Sequence, residues 1–274
     1  LLKSSNSSFK VLVKGGEGSL NLLTDNMQSS GALNASYLNA IDGVVQDNLY
    51  YGPTLDTVSS NTASYEAFLN QVVASGKSVL TIDYAVDPTN ISNSNTSASS
   101  NGYIPLQRPV TITNTNINSI TPTPVFSSNA GTTISSLSQV NNFIFVDSVL
   151  NSTSISLLSD SFYDLVILPV FVGNKKTFLS SATIQEIKKK GGTAANLPDR
   201  LVFAYIDLAR LDSNSEYWNE TWNLQLPSWV YPAGVSPYRA KFWDNEWRGL
   251  LYSDHPNSIV SKLIELGFDG VVLD

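Results

Sequence analysis

One hexapeptide occurs twice, altered at a single position: Asp42-Gly-Val-Val-Gln-Asp47 and Asp269-Gly-Val-Val-Leu-Asp274. Each copy is a short valine-rich run that follows a helical stretch and ends in a carboxylate, the mark of an internally repeated structural unit. Ser78-Val-Leu-Thr-Ile-Asp83 and Val202-Phe-Ala-Tyr-Ile-Asp207 end the same way. The strand-length runs are Phe9–Lys14, Asp42–Gln46, Ser78–Asp83, Tyr103–Leu106, Phe143–Val146, Leu165–Val170, Leu201–Ile206 and Gly270–Leu273, which makes eight. Helical periods lie between them. Tyr65, Phe68, Leu69, Val72 and Val73 recur at helical spacing before Gly76, Ile184 and Ile187 precede Gly191, and Ile259, Val260, Leu263 and Ile264 precede Gly267. Strands alternating with helices predict parallel βα units. In a (β/α)8 TIM barrel all strand C-termini share one face, where active sites are built, so four aspartate-ended strands would gather their carboxylates there. Aspartates also serve as turn and cap residues. Asp42, Asp164 and Asp269, which precede strands, are read that way.

The segment Arg108–Ser138, rich in Thr, Asn and Ser and carrying Pro109, Pro122 and Pro124, has no helical period and reads as a linker or excursion. It divides the eight strands four and four. Four βα units alone do not close a barrel, so residues 1–274 are expected to form one barrel domain from both halves.

Only 14% of the residues are charged, with Ser, Thr and Asn in their place, a balance suited to an extracellular or cell-surface protein. Six Asn-x-Ser/Thr sequons, at Asn6, Asn34, Asn90, Asn95, Asn151 and Asn219, fit that setting. There is no cysteine and one histidine, His255, which excludes disulfides, zinc-thiolate centres and multi-histidine metal sites. His255 precedes Pro256 and reads as a residue near a helix cap. The net charge of −7 disfavours nucleic acid as a partner, and no apolar run is long enough to span a membrane. The start at Leu1 without methionine and the stop at Asp274 read as those of a processed or excised piece, with any export signal upstream.

Leu201-Val-Phe-Ala-Tyr-Ile-Asp207, Glu216-Tyr-Trp218, Pro227-Ser-Trp229, Lys241-Phe-Trp-Asp-Asn-Glu-Trp247 and Gly267-Phe-Asp-Gly-Val-Val-Leu-Asp274 resemble the first half of the endo-α-1,4-polygalactosaminidase-like glycoside hydrolases, family 114. Gly16-Glu17, Asp42 to Gly52, Gly76 to Tyr84 and Gly102-Tyr-Ile-Pro-Leu106 resemble the second half. The halves stand in permuted order. Residues 1–107 are similar to the family's strands five to eight and 139–274 to its strands one to four, as in a circular permutation or a fragment of tandem barrels that a neighbouring repeat would complete.

That resemblance implies hydrolysis of galactosamine-containing polysaccharide, a polymer that can be cationic, by two carboxylates. It implies no metal and no organic cofactor. By position in the motifs Asp274 and Asp47 would form the catalytic pair, with Asp83, Tyr84, Asp207, Tyr50, Tyr51 and Trp243 as substrate-binding residues. The family usually carries a glutamate at the Asp47 position, an acid at Pro169, two acids at Arg210 and Asp212, and an asparagine at Gly15. Those replacements favour the alternative of a non-catalytic carbohydrate-binding or structural module on the same barrel. A surface scaffold that binds no sugar is the third reading. Trp218 and Trp247 are expected to pack a loop on the barrel rim, and Trp243 to serve either packing or sugar stacking.

Overall fold

The structure is a computed structural model that describes residues 8–15, 33–108, 131–148, 150–172, 177–192, 194, 196–211, 213, 218–231, 238–252 and 258–274. Its centre is an eight-stranded parallel sheet: β1 Lys10–Lys14, β2 Gly43–Asp47, β3 Ser78–Asp83, β4 Ile104–Gln107, β5 Phe143–Phe145, β6 Leu165–Pro169, β7 Leu201–Ile206 and β8 Gly270–Leu273. The order β4-β3-β2-β1-β8-β7-β6-β5 curls into a nearly closed (β/α)8 barrel. β4 and β5 lie against one another at the one seam that has no hydrogen-bonded ladder among the described residues. There the Arg108 guanidinium, almost fully buried, donates to the Phe145 carbonyl at 3.2 Å and pairs with Asp147 at 2.5 Å. Both halves of the chain build one barrel. The part of the expected linker from 109 to 130, with its three prolines, lies outside the described residues.

Helices α1 Ala35–Ala40, α2 Thr62–Ala74, α3 Pro88–Ser100, α4 Ser152–Asp160, α5 Ser181–Lys188, α6 Asn245–Tyr252 and α7 Ile259–Leu266 accompany the strands. Strands covered on both faces lose their alternation, which is why Val44-Val45, Leu165 to Leu168 and Val271-Val272 are continuous buried runs. The glycines expected to stop α2 and α7 adopt the left-handed conformation that an L side chain resists, with φ +74° at Gly76 and +93° at Gly267. Helix α3, with the sequence PTNISNSNTSASS, was not expected because it has no apolar stripe. Asp87 caps it by accepting from the amides of Thr89 and Asn90, and Pro88 at its first turn needs no amide partner. Its buried face is polar. Asn95 is almost fully buried on that face, so this sequon has no surface for a glycan.

The repeated hexapeptide has a structural explanation. Asp42 accepts the Val11 amide on Oδ2 at 2.9 Å and donates its own amide to the Val11 carbonyl. Asp269 makes the same two bonds to Val202, and Asp164 accepts the Asn141 amide on Oδ2. The next residue is glycine in both copies because a Cβ would collide with a carbonyl of the following strand, Ser78 for Gly43 and Lys10 for Gly270. Aspartate holds one neighbouring strand, glycine admits the other, and the two valines fill the core. The lysines at the end of α5 have specific partners: Lys188 pairs with Asp269, Lys189 with Asp199, and the fully buried Lys190 with the equally buried Asp164.

Candidate functional site

Because the strands are parallel, their C-terminal ends meet at one mouth, and β1 lies between β2 and β8. That order sets Lys14, the last residue of β1, between the carboxylates that end the two hexapeptides. Its Nζ lies 2.8 Å from Asp47 Oδ2 and 3.0 Å from Asp274 Oδ2. One ammonium bonded to both keeps these two oxygens no more than about 6 Å apart, short of the wider gap that would leave room for a water between two catalytic carboxyls. Asp47 and Asp274 are thus brought together, as their motif positions imply, and Lys14 is the member of the group that sequence reasoning missed. The only signal for it was a cation at the end of a strand.

Tyr205 completes the cluster: its hydroxyl donates to Asp274 Oδ2 at 2.5 Å. Burial, then the bond and charge of Asp274, push its pKa far above the usual tyrosine value, so it stays a proton donor. For Lys14, burial works against the charge, but the ion pairs and hydrogen bonds to Asp47 and Asp274 outweigh it and the net shift is upward. Its stabilising contribution is therefore complete below the ordinary lysine value and is lost only as pH rises through the raised one. The Phe145 ring centre lies 5.8 Å from the ammonium. Asp47 Oδ1 is buried without a hydrogen-bond partner among the described residues.

Tyr84 stands half-buried beside the mouth, with the Arg108 guanidinium 5.6 Å from its ring centre. Burial raises its pKa first, and the charge of Asp47 adds to that. Asp207 is half-buried after β7 and accepts the amides of Ala209 and Arg210, both at 3.0 Å. It lines a cavity of about 170 Å³ with Tyr205, Pro169, Phe171, Arg210 and Trp247.

Asp83, Tyr50 and Tyr51 are placed elsewhere. Successive strand residues face opposite sides, and Asp83 turns to α3, where Ser94 donates to its Oδ2 at 2.7 Å while the amides of Tyr50 and Tyr51 donate to Oδ1. It has no exposed surface. The Tyr50 hydroxyl bonds Glu66 of α2, the Tyr51 hydroxyl bonds Asn90 of α3, and both rings are buried. These three residues hold the loop after β2 instead of presenting surface to a ligand.

The long connection from β7 to α7 carries the tryptophans. Trp229 stacks on Trp247, whose Nε1 donates to the Leu208 carbonyl at 2.8 Å, and Trp218 stacks on Tyr238. All three tryptophans are buried and pack this connection, whereas Trp243 is 55% exposed beside Tyr231 and Phe242. Glu17, Asp212 and His255 lie outside the described residues. Among the described residues no helix is long and apolar enough to cross a membrane, and no group of three or more histidines, cysteines or acids could hold a metal ion.

No protein-family model matches the chain. It is similar to an uncharacterized protein of Thermotoga maritima, 31% identical over 74 residues, which are 26% of this chain and 21% of that protein. An uncharacterized protein of Methanocaldococcus jannaschii is 26% identical over 129 residues, covering 46% of this chain and 34% of the relative. One of Deinococcus radiodurans is 26% identical over 78 residues, or 27% of this chain and 24% of the relative. The matched stretch thus spans between a fifth and about a third of these relatives' lengths.

Proposed function

We propose that this chain is a glycoside hydrolase resembling the endo-α-1,4-polygalactosaminidases of family 114, acting outside the cell on galactosamine-containing polysaccharide. The observation that carries this reading is the bonding of one Lys14 ammonium to both Asp47 and Asp274 at the barrel mouth. An upper bound of about 6 Å between these oxygens favours retention over inversion. Asp274, oriented by Tyr205 and Lys14, attacks the anomeric carbon as a carboxylate, while Asp47, which takes up a proton from solvent on parting from Lys14, gives that proton to the departing glycosidic oxygen. Water then releases the sugar from Asp274, and Asp47 takes the proton back. Asp207 and Tyr84 flank the sugar, and Trp243 offers an exposed stacking ring.

The test is release of reducing ends from α-1,4-linked galactosamine polymer. Asp274→Asn and Asp47→Asn should each abolish release while the fold persists; full activity in either variant removes that residue from the mechanism. A second reading, a carbohydrate-binding module without catalysis, is favoured by the same lysine, since it engages both acids, and by Arg210 beside Asp207. Polymer binding without release of reducing ends selects it.

A further inference from the structure

A cavity of about 810 Å³ lies in the connection from β7 to α7, several times the volume of the one beside Asp207. Two stretches at helical spacing line it: Trp222, Gln225 and Leu226, and Glu246, Gly249 and Leu250 of α6. Trp229 also lines it and stacks on Trp247, which lines the smaller cavity with Tyr205 and Asp207, so this stacked pair links the two cavities.

Two features of the lining have no origin in packing. Gly249 stands inside a helix, where glycine is destabilising relative to alanine, yet an added Cβ would meet no other side chain or loop among the described residues within 4 Å. Crowding does not demand glycine there. Its effect is to leave that part of the wall bare, and a residue that breaks a local rule without a packing reason points to function. Glu246, exposed in the first turn of α6, has no cationic partner among the described residues. Lys241 donates instead to the Ser228 carbonyl and Arg248 to the Tyr252 hydroxyl, so the one charge in the lining is an uncompensated carboxylate. Trp222 is half-buried and stands at right angles to both Trp218 and Trp229, with ring centres 5.2 and 5.3 Å away, which fixes its ring before a ligand arrives. A mostly apolar wall with a fixed indole, the Gln225 amide and the Glu246 carboxylate matches an amino sugar. Its C–H face packs on an aromatic ring, its hydroxyls bond an amide, and its ammonium seeks a carboxylate.

We propose that this cavity is a second binding site for the polymer, one that takes amine-bearing galactosamine units beside Trp222 and Glu246. The inference rests on the substrate class of the proposed function but not on which residues carry the chemistry.

The probe is fully de-N-acetylated α-1,4-linked galactosamine polymer, titrated calorimetrically at about pH 6, where its amines are charged, into Asp274→Asn protein, which by the proposed mechanism holds the polymer uncut. In that background Gly249→Leu, which fills the cavity, should weaken binding at least about tenfold, and Glu246→Gln, which removes the charge and keeps the shape, roughly fivefold. Fully N-acetylated polymer should lose affinity in Gly249→Leu only. Unchanged affinity in a folded Gly249→Leu variant overturns the site and leaves the hydrolase reading of the barrel mouth standing. Unchanged affinity in Glu246→Gln, or an equal loss for the N-acetylated polymer, overturns the selection of the amine. Should Gly249→Leu not fold, Glu246→Gln decides alone. Asp274→Asn protein that binds neither polymer overturns the proposed substrate class and the inference with it.

Discussion

Tyr205 and Asp274, neighbours across β7 and β8, share one hydrogen bond at the barrel mouth, and its acceptor is the same Oδ2 that Lys14 reaches. The carboxylate is therefore held from two sides by donors on the strand that precedes it in the barrel and the strand that follows. In the proposed mechanism that fixes the attacking oxygen before substrate arrives. Tyr205→Phe removes one donor to a charged group, a loss of about 1.5–3 kcal/mol if it is felt in the transition state. Hydrolysis should then fall roughly 10- to 100-fold in kcat with little change in KM, read from initial rates of reducing-end release.

Gly270 and Gly249 should respond to alanine in opposite ways. A Cβ at Gly270 would come within 2.6 Å of the Lys10 carbonyl and 2.8 Å of the Phe203 ring, inside the tightest part of the barrel. Gly270→Ala is expected to cost about 1–3 kcal/mol or more, seen as a lower Tm. At Gly249, in α6, an added Cβ would meet no other side chain or loop among the described residues within 4 Å, and alanine there should stabilise by up to about 1 kcal/mol through helix propensity.

The ion pair of Lys190 and Asp164, 2.6 Å apart with neither side chain exposed, should be strongly coupled. Lys190→Met strands a buried carboxylate that still accepts the Asn141 amide, and should cost about 3–5 kcal/mol in denaturant unfolding. Asp164→Asn in the Lys190→Met background should recover part of that loss. A double-mutant cycle that gives simple additivity would show the two charges to be independent.

Asp83 predicts a pH signature. Burial, its largest influence, holds the carboxyl above the usual range despite the bonds from Tyr51, Ser94, Tyr50 and Gln107. An acid raised on folding binds its proton more tightly in the native state. Stability from this group is therefore gained as pH falls through the raised value toward the ordinary one, and lost on the way back up. The Tm of wild type relative to Asp83→Asn should rise on acidification from neutral pH. A difference that stays constant with pH would show that Asp83 does not titrate in that window.

The strands were largely legible because each is a buried run bounded by turn residues. Ser78–Asp83, Leu201–Ile206 and Gly270–Leu273 have the ends the sequence suggests. Helix α3 was not legible, since its buried face is polar and bonds through Ser94 to Asp83, a partner that exists only once β3 and α3 meet. The direction of Asp83 was hidden for a related reason. A strand alternates its faces, and which face looks inward follows from the pairing of neighbouring strands.

The sequence by itself determined an alternating βα chain with a repeated unit that ends in a carboxylate, because periodicity, turn residues and strand-end aspartates are local properties. Only the tertiary structure decided that Lys14 stands between Asp47 and Asp274, which lie 33 and 260 residues away along the chain. A lysine at a strand end is indistinguishable from a solvated surface lysine until the barrel curls. Closure places β1 between β2 and β8 and removes water from around the cation. Its charge is then balanced by two acids that no local pattern could have paired with it.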